Sequence, residues 1–242
     1  MKTILITGAT GGIGQATALY LDANGYKTFL LGRNEIKLKS ITSELKNSTY
    51  IIKDLEDLEG IETIFKELSE KRVILDGLVH CAGISPLMKV ADNDIDTMIK
   101  AFTINCFSFV ELMKYFQRDG AYNAGASVVA VSSVVAGCAS YRQAIYGGSK
   151  AALEEIVRCL AKELIEKNIR INCVAPGIVD TEMFKKLCEE SDSLRERAFA
   201  KYPLGLIPAE TIAEHIELLL SDRARYTTGS VFTVDAGFLA WK

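Results

Sequence analysis

The chain begins with a short apolar run, Thr3-Ile4-Leu5-Ile6-Thr7, that stops at once in glycines and leads into helical spacing. Five residues are too few for a buried helix and right for a strand covered on both faces. From Ile13 to Asn24 the residues Ile13, Ala16, Thr17, Tyr20 and Leu21 recur at helical intervals, and Gly25 is a stop signal. A strand joined to a helix through Thr7-Gly8-Ala9-Thr10-Gly11-Gly12-Ile13-Gly14 leaves few folds open. The rhythm then repeats. Strands over 27–31, 49–52, 77–80, 127–131, 170–174 and 230–234 alternate with helices over 35–46, 56–70, 92–116 (in two pieces), 145–167 and 209–220. This alternation predicts an α/β fold of Rossmann type: a doubly wound, seven-stranded parallel sheet with helices on both faces. Nothing like a linker interrupts it, so a single domain over 1–242 is expected.

Composition removes several function classes. The net charge is −3 and no basic stripe occurs, which argues against nucleic acid as a partner. Six cysteines are scattered without a CxxC pair, as expected of reduced thiols in the cytoplasm. Two histidines are too few for a metal cluster, so no metal is expected. The N-terminal apolar run is too short for a signal peptide. An uncharged run from Gly120 to Tyr141 is interrupted by Asn123, Gly125, Ser127, Ser132, Ser133, Gly137 and Ser140, so no membrane segment is expected.

The glycine loop falls where a phosphate loop should fall. Gly8, Gly11, Gly12 and Gly14 allow a tight turn and a close approach. A helix N-terminus beginning at Ile13 offers unpaired N–H groups to a pyrophosphate. The spacing T-G-x-x-x-G-x-G differs from the commoner G-x-G-x-x-G. An acid at the tip of the second strand would bind the ribose 2′-hydroxyl of NAD. Here the tip reads Leu31-Gly32-Arg33-Asn34. Arg33 can pair with a 2′-phosphate, which favours NADP(H). NAD(H) stays possible, with Glu35 reaching the ribose and Arg33 solvated.

A second stretch carries chemistry. Ser133 is followed by Tyr146 and, four residues later, Lys150. On a helix Tyr146 and Lys150 share a face. A phenol beside an ammonium should ionise more easily and could transfer protons near neutral pH. The pair could equally be two solvated neighbours.

Together, TGATGGIG, Cys81-Ala82-Gly83 after the fourth strand, Asn105, Ser133, Tyr146-x-x-x-Lys150 and Pro176-Gly177 resemble the short-chain dehydrogenase/reductase superfamily. The likeness is to its short, single-domain branch, which includes 3-oxoacyl-acyl-carrier-protein reductases, and it covers about residues 2–239. The resemblance implies an NADPH-dependent reduction of a carbonyl to an alcohol. Tyr146 would be the general acid/base and Lys150 would lower its pKa and bind the nicotinamide ribose. Ser133 would hold the carbonyl, and Asn105 would help relay protons through water. For the cofactor, Gly8, Thr10, Gly11, Gly12, Ile13 and Gly14 match the phosphate loop. Asp54 and Leu55 match the adenine site, with the aspartate accepting from the amino group. Ala82 and Gly83 match the segment along the adenosine ribose. Pro176, Gly177, Ile178 and Thr181 match the nicotinamide carboxamide site. The resemblance also implies a homodimer or homotetramer formed through the 92–116 and 145–167 helices.

The family usually has Asn-Asn-Ala-Gly where this chain has His80-Cys81-Ala82-Gly83. His80 is expected to replace a structural hydrogen bond and to take no part in chemistry. The stretch 181–206, with Met183, Phe184, Leu187, Leu194, Ala198 and Phe199 apolar, is expected to be a substrate lid; ordinary packed helices are the alternative. Ser85, Pro86, Leu87, Val135 and Tyr141 are expected around the same pocket. A lid with an apolar face favours a carbonyl substrate with a hydrophobic part. Two other readings remain: a non-catalytic NADP-binding regulator, and an NAD-dependent alcohol dehydrogenase working oxidatively. An epimerase or dehydratase shares Tyr-x-x-x-Lys but has a different glycine spacing.

Overall fold

The structure, a computed structural model, describes residues 1–189, 200 and 202–240. Seven strands form one parallel sheet in the order β3-β2-β1-β4-β5-β6-β7. They are β1 (Thr3–Thr7), β2 (Lys27–Gly32), β3 (Ser48–Ile52), β4 (Leu75–His80), β5 (Tyr122–Val131), β6 (Arg170–Pro176) and β7 (Val231–Val234). The helices are α1 (Gly12–Ala23), α2 (Glu35–Ser43), α3 (Glu62–Glu70), α4 (Ile95–Phe102), α5 (Ser108–Phe116), α6 (Ala144–Leu164), α7 (Glu182–Glu189) and α8 (Ala209–Leu220). The expected doubly wound sheet is present.

Strand side chains alternate between two cores, as a period of two requires. Leu5, Phe29, Leu78, Val128 and Ile171 join α3, α5 and α6 on one face. Ile4, Ile6, Leu30, Val79, Val129 and Val174 join α1, α2 and α8 on the other. Both faces are covered, so β6 is buried at every position. Phe116 is fully buried and stacks on Tyr122 with centroids 6.1 Å apart. Phe116→Ala is expected to cost about 3–5 kcal/mol through lost burial and the cavity left behind. Urea unfolding of the purified variant checks this; a loss below about 1 kcal/mol would contradict the packing described.

Several boundaries differ from the sequence expectation for identifiable reasons. Helix α2 ends at Ser43 because the Asp22 carboxylate accepts the Lys46 and Asn47 N–H groups at 3.0 and 2.8 Å, tying down the connection. Helix α3 begins at Glu62, after a short 3₁₀ turn over Glu59–Ile61. Asp57 accepts the Gly60 N–H at 2.9 Å ahead of that turn. Strand β5 starts five residues early, at Tyr122, and its pairing with β4 shifts register before Gly77. Gly125, at φ +87, takes up the irregularity. The 92–116 helix is in two pieces, and what joins them is a π-helical turn over Thr103–Phe107. No helix among the described residues is long and apolar enough to cross a membrane.

Candidate active site

In a doubly wound sheet, ligands bind outside the carboxyl ends of the strands, where the strand order reverses. That point lies between β1 and β4. The residues expected at the cofactor, and Ser133, gather at the ends of strands β1 to β6. The glycine loop follows β1, Arg33 follows β2, Asp54 and Leu55 follow β3, Ala82 and Gly83 follow β4, Ser133 follows β5, and Gly177 to Thr181 follow β6.

The glycine loop forms a cradle. Gly8 sits at φ +62, and a Cβ there would lie 2.6 Å from the Ala82 nitrogen. A Cβ on Gly14 would strike the Gly8 carbonyl, and one on Gly12 would strike the Thr181 side chain. Gly11 caps α1 in an extended conformation without any side-chain hydrogen bond. Among the described residues no side chain therefore caps the first N–H groups of this twelve-residue helix, which suits an anion. Thr10 packs beside Gly32, linking this loop to the tip of β2. These features fit a dinucleotide pyrophosphate.

At the outer end, Arg33 is exposed. Its Nη1 lies 3.5 Å from Asp54 and 3.7 Å from Glu56, loose pairs that leave the guanidinium able to turn. Glu35, the acid that could have served the ribose, is taken by Lys39 at 2.7 Å. The Lys39 ammonium lowers the Glu35 pKa by hydrogen bond and charge. Leu55 is buried in the core, and Asp54 Oδ1 accepts the Glu56 N–H at 3.0 Å.

At the inner end, the candidate catalytic groups converge. Helix α6 packs its first turn against the turn after β5: a Cβ on Gly147 would lie 2.9 Å from the Val135 carbonyl. That contact sets Tyr146 beside Ser133, whose hydroxyl favours the phenolate. Lys150 is buried, and its ammonium donates to the Val131 carbonyl at 2.8 Å. A Cβ on Gly83 would lie 3.2 Å from both the Lys150 ammonium and the Asn105 carbonyl oxygen. Asn105 stands in the middle of the π turn, fully buried. It accepts the Ile84 N–H at 2.8 Å and donates to the Ile84 carbonyl and to Ser149 Oγ, both at 2.9 Å. Ser149 in turn donates to the Tyr146 carbonyl at 2.7 Å. Asn105 thus ties the segment after β4 to the helix that carries Tyr146.

Two expectations need correcting. The Lys150 ammonium was expected to lower the Tyr146 pKa. The direction is upward instead: burial raises it, and the Ser133 hydroxyl opposes that only in part. Lys150 is directed to the Val131 carbonyl, and burial pulls its own pKa down from 10.5 to about 8, against the raising effect of Cys173, Cys81 and Cys106. The second correction concerns Ile178. Its N–H donates to the Tyr202 hydroxyl at 2.9 Å and its carbonyl accepts from Ile207 at 3.1 Å, so both backbone groups are used. The Val179 N–H finds no partner among the described residues.

His80 makes a hydrogen bond of the kind expected of it. It is fully buried against Phe109, with Nδ1 3.0 Å from the Thr7 hydroxyl, and burial pushes its pKa down to about 3. It stays neutral. Of the pocket residues, Leu87 accepts from the Arg142 guanidinium at 2.7 Å, and Met88 N–H donates to the Arg142 carbonyl at 3.0 Å. Arg142 adopts φ +64, a strained conformation for a side-chain-bearing residue. Tyr141 is exposed. In the expected lid, α7 is helical with Phe184 buried and Met183 exposed. Leu194, Ala198 and Phe199 lie outside the described residues. No group of three or more metal-ligating side chains occurs among the described residues.

A family model described as enoyl-(acyl carrier protein) reductase matches residues 8–239. The chain is a short-chain dehydrogenase/reductase. Among curated relatives, the 3-oxoacyl-[acyl-carrier-protein] reductase FabG of Thermotoga maritima is 33% identical over 250 residues, covering 98% of each chain. Among solved structures, ElxO with NADP bound superimposes with a TM-score of 0.89 at 27% identity over 99% of each chain. A 4-hydroxyisoleucine dehydrogenase complexed with NADH does so with 0.90 at 28% identity over 100% of each. Family and fold therefore agree with the motif reading, and the chain is an NAD(P)-dependent oxidoreductase by family.

Proposed function

We propose that this dehydrogenase/reductase reduces a ketone with NADPH, on a substrate that carries a hydrophobic part. The observation that carries the reading is the convergence of the Ser133–Tyr146 pair, Lys150 and Asn105 on the strand edge that holds the glycine cradle. The loop from Gly8 to Gly14 would hold the pyrophosphate, Arg33 the 2′-phosphate, Asp54 the adenine, and Ala82 with Gly83 would line the ribose. Val179 N–H and the Thr181 hydroxyl would hold the carboxamide. When bound, NADPH supplies the hydride. Ser133 donates to the carbonyl oxygen and orients it. Tyr146, whose proton is retained at neutral pH by burial, gives that proton to the oxygen as negative charge develops. Lys150, anchored on the Val131 carbonyl, would hold the nicotinamide ribose. Asn105, braced by Ile84 and Ser149, keeps this geometry fixed and would anchor a water chain that carries the protons.

The FabG relative is named for a 3-oxoacyl thioester, which joins a ketone to an acyl chain and suits the proposal. The NADH complex of the 4-hydroxyisoleucine dehydrogenase keeps an oxidative, NAD-dependent reading open, and Arg33 favours NADPH over it. Arg33→Ala is expected to raise KM for NADPH about ten- to hundredfold, the loss of one or two charge-assisted hydrogen bonds. KM for NADH should stay within about twofold. Steady-state kinetics with both cofactors checks this; an unchanged NADPH preference would refute the role of Arg33. We also read the exposed apolar residues Ile95, Ile99, Phe107 and Val110 as a self-association face of a cytoplasmic homodimer or homotetramer. Light scattering that finds a monomer would refute it.

The test of function is a screen of NADPH and NADH oxidation against ketones, sugars, 3-oxoacyl thioesters and 2-enoyl thioesters. Oxidation of NADPH with a ketone of the panel supports the reading. Tight NADPH binding with no turnover favours a regulator.

A further inference from the structure

Tyr202 is a buried tyrosine that the proposed reaction does not use. It is 4% exposed, and its hydroxyl accepts the Ile178 N–H at 2.9 Å. Its ring covers Gly177: a Cβ on that glycine would lie 2.7 Å from Tyr202 Cε1 and 3.1 Å from the hydroxyl. The ring stacks on Phe238, with centroids 5.1 Å apart and planes 12° from parallel. Beside it, Pro203 packs on Gly237, which sits at φ +84; a Cβ there would lie 3.2 Å from Pro203 Cγ. Two segments outside the sheet therefore meet at the Pro176-Gly177 turn.

The consequence lies in the backbone. Tyr202 fixes the peptide between Gly177 and Ile178 through its N–H. Ile207 fixes the next peptide, donating to the Ile178 carbonyl at 3.1 Å, and accepts from Asp180 at 2.9 Å. With both peptide planes held, the torsions of Ile178 have little freedom, and the direction of the Val179 N–H is set. Gly177 is the most conformationally free residue type in the turn, so the clamp acts where the chain would otherwise swing.

We propose that Tyr202 is a positioning residue for the nicotinamide end of the cofactor: its hydroxyl clamps Ile178 so that Val179 N–H is aimed at the carboxamide before the cofactor arrives. Such preorganisation lowers the ordering cost at binding. It would act on the nicotinamide half alone, because the glycine cradle and Arg33 belong to other elements. The inference rests on the cofactor reading above.

The test is titration calorimetry on the full chain with NADPH and with 2′,5′-ADP, which has the adenine end and no nicotinamide. Tyr202→Phe keeps the ring and its stack and removes only the acceptor. It is expected to weaken NADPH about tenfold, the scale of one buried hydrogen bond left unpaired, and to leave 2′,5′-ADP unchanged. Should that variant fail to fold, Gly177→Ala, which displaces the ring, is expected to show the same selective loss. Unchanged NADPH affinity in Tyr202→Phe, or an equal loss on both ligands, would overturn the role of Tyr202. Wild-type protein that binds neither ligand would overturn the cofactor reading itself.

Discussion

Tyr146→Phe is expected to lower kcat by about 10³-fold or more while NADPH affinity changes only a few-fold. The ring stays, so packing at the start of α6 is kept. Only the hydroxyl leaves, and with it the proton for the forming alkoxide and the interaction with Ser133. General-acid donors contribute about 10²–10⁴-fold, and the loss falls in that range because the other acidic group of the set, the Lys150 ammonium, is directed to the Val131 carbonyl. Ser133 can orient the oxygen, yet its hydroxyl holds its proton far more tightly than a phenol. The raised Tyr146 pKa and the Lys150 pKa of about 8 together set the pH dependence. An acid raised by burial keeps its proton across neutral pH, so reduction should run flat there and fall only on the alkaline side. Single-turnover kinetics with pre-bound NADPH isolates the chemical step. A variant with near wild-type turnover would remove Tyr146 from the reaction.

Lys150→Met is expected to abolish most activity and yet to make the protein more stable at neutral pH. Lys150 is 4% exposed, its hydrogen-bond acceptor is the Val131 carbonyl, and no carboxylate pairs with it among the described residues. Burial lowers its pKa from 10.5 to about 8. Below about pH 8 the lysine is charged in both folded and unfolded chains, and the folded state bears the full penalty. Between about pH 8 and 10.5 the folded chain gives up its proton first, so the penalty shrinks. Above 10.5 both forms are neutral and it is gone. The gap from 10.5 to about 8 corresponds to about 3 kcal/mol, an upper figure for the stability gained at pH 6.5–7. Urea unfolding of wild type and variant at about pH 6.5 and about pH 10 reads both numbers. The advantage of the variant should narrow at the higher pH. A variant that is less stable at both, or a gap that does not move with pH, would contradict the account of a desolvated ammonium. Such a cost at a residue proposed for the active site is expected where function and stability pull apart.

What the sequence made legible is what local chemistry dictates. The strand–glycine–helix unit, the buried strands and the Tyr146–Lys150 spacing are each written within a few residues, and they fall where they were expected. The elements that differ are set by partners far along the chain. The π turn at Thr103–Phe107 has no local signal, because it accommodates Asn105 bonding Ile84 and Ser149, residues 21 and 44 positions away. The early end of α2 depends on Asp22, in the preceding helix. The partner of Lys150 was misread for a related reason. Sharing a helix face with Tyr146 says nothing of the Val131 carbonyl on the neighbouring strand, which takes the ammonium. Tyr202 and Val179 were passed over because nothing in Lys-Tyr-Pro or Pro-Gly-Ile-Val announces that a phenol will meet a backbone amide 24 positions earlier.

The central claim is that the groups gathered at the strand edge make this chain an NADPH-dependent carbonyl reductase. Its most direct test follows NADPH absorbance with a 3-oxoacyl thioester and other ketones while the product is quantified. The account predicts one alcohol formed for each NADPH oxidised, with no such product from Tyr146→Phe. NADPH that binds and is never oxidised by any carbonyl compound, or equal rates in the two proteins, would contradict it.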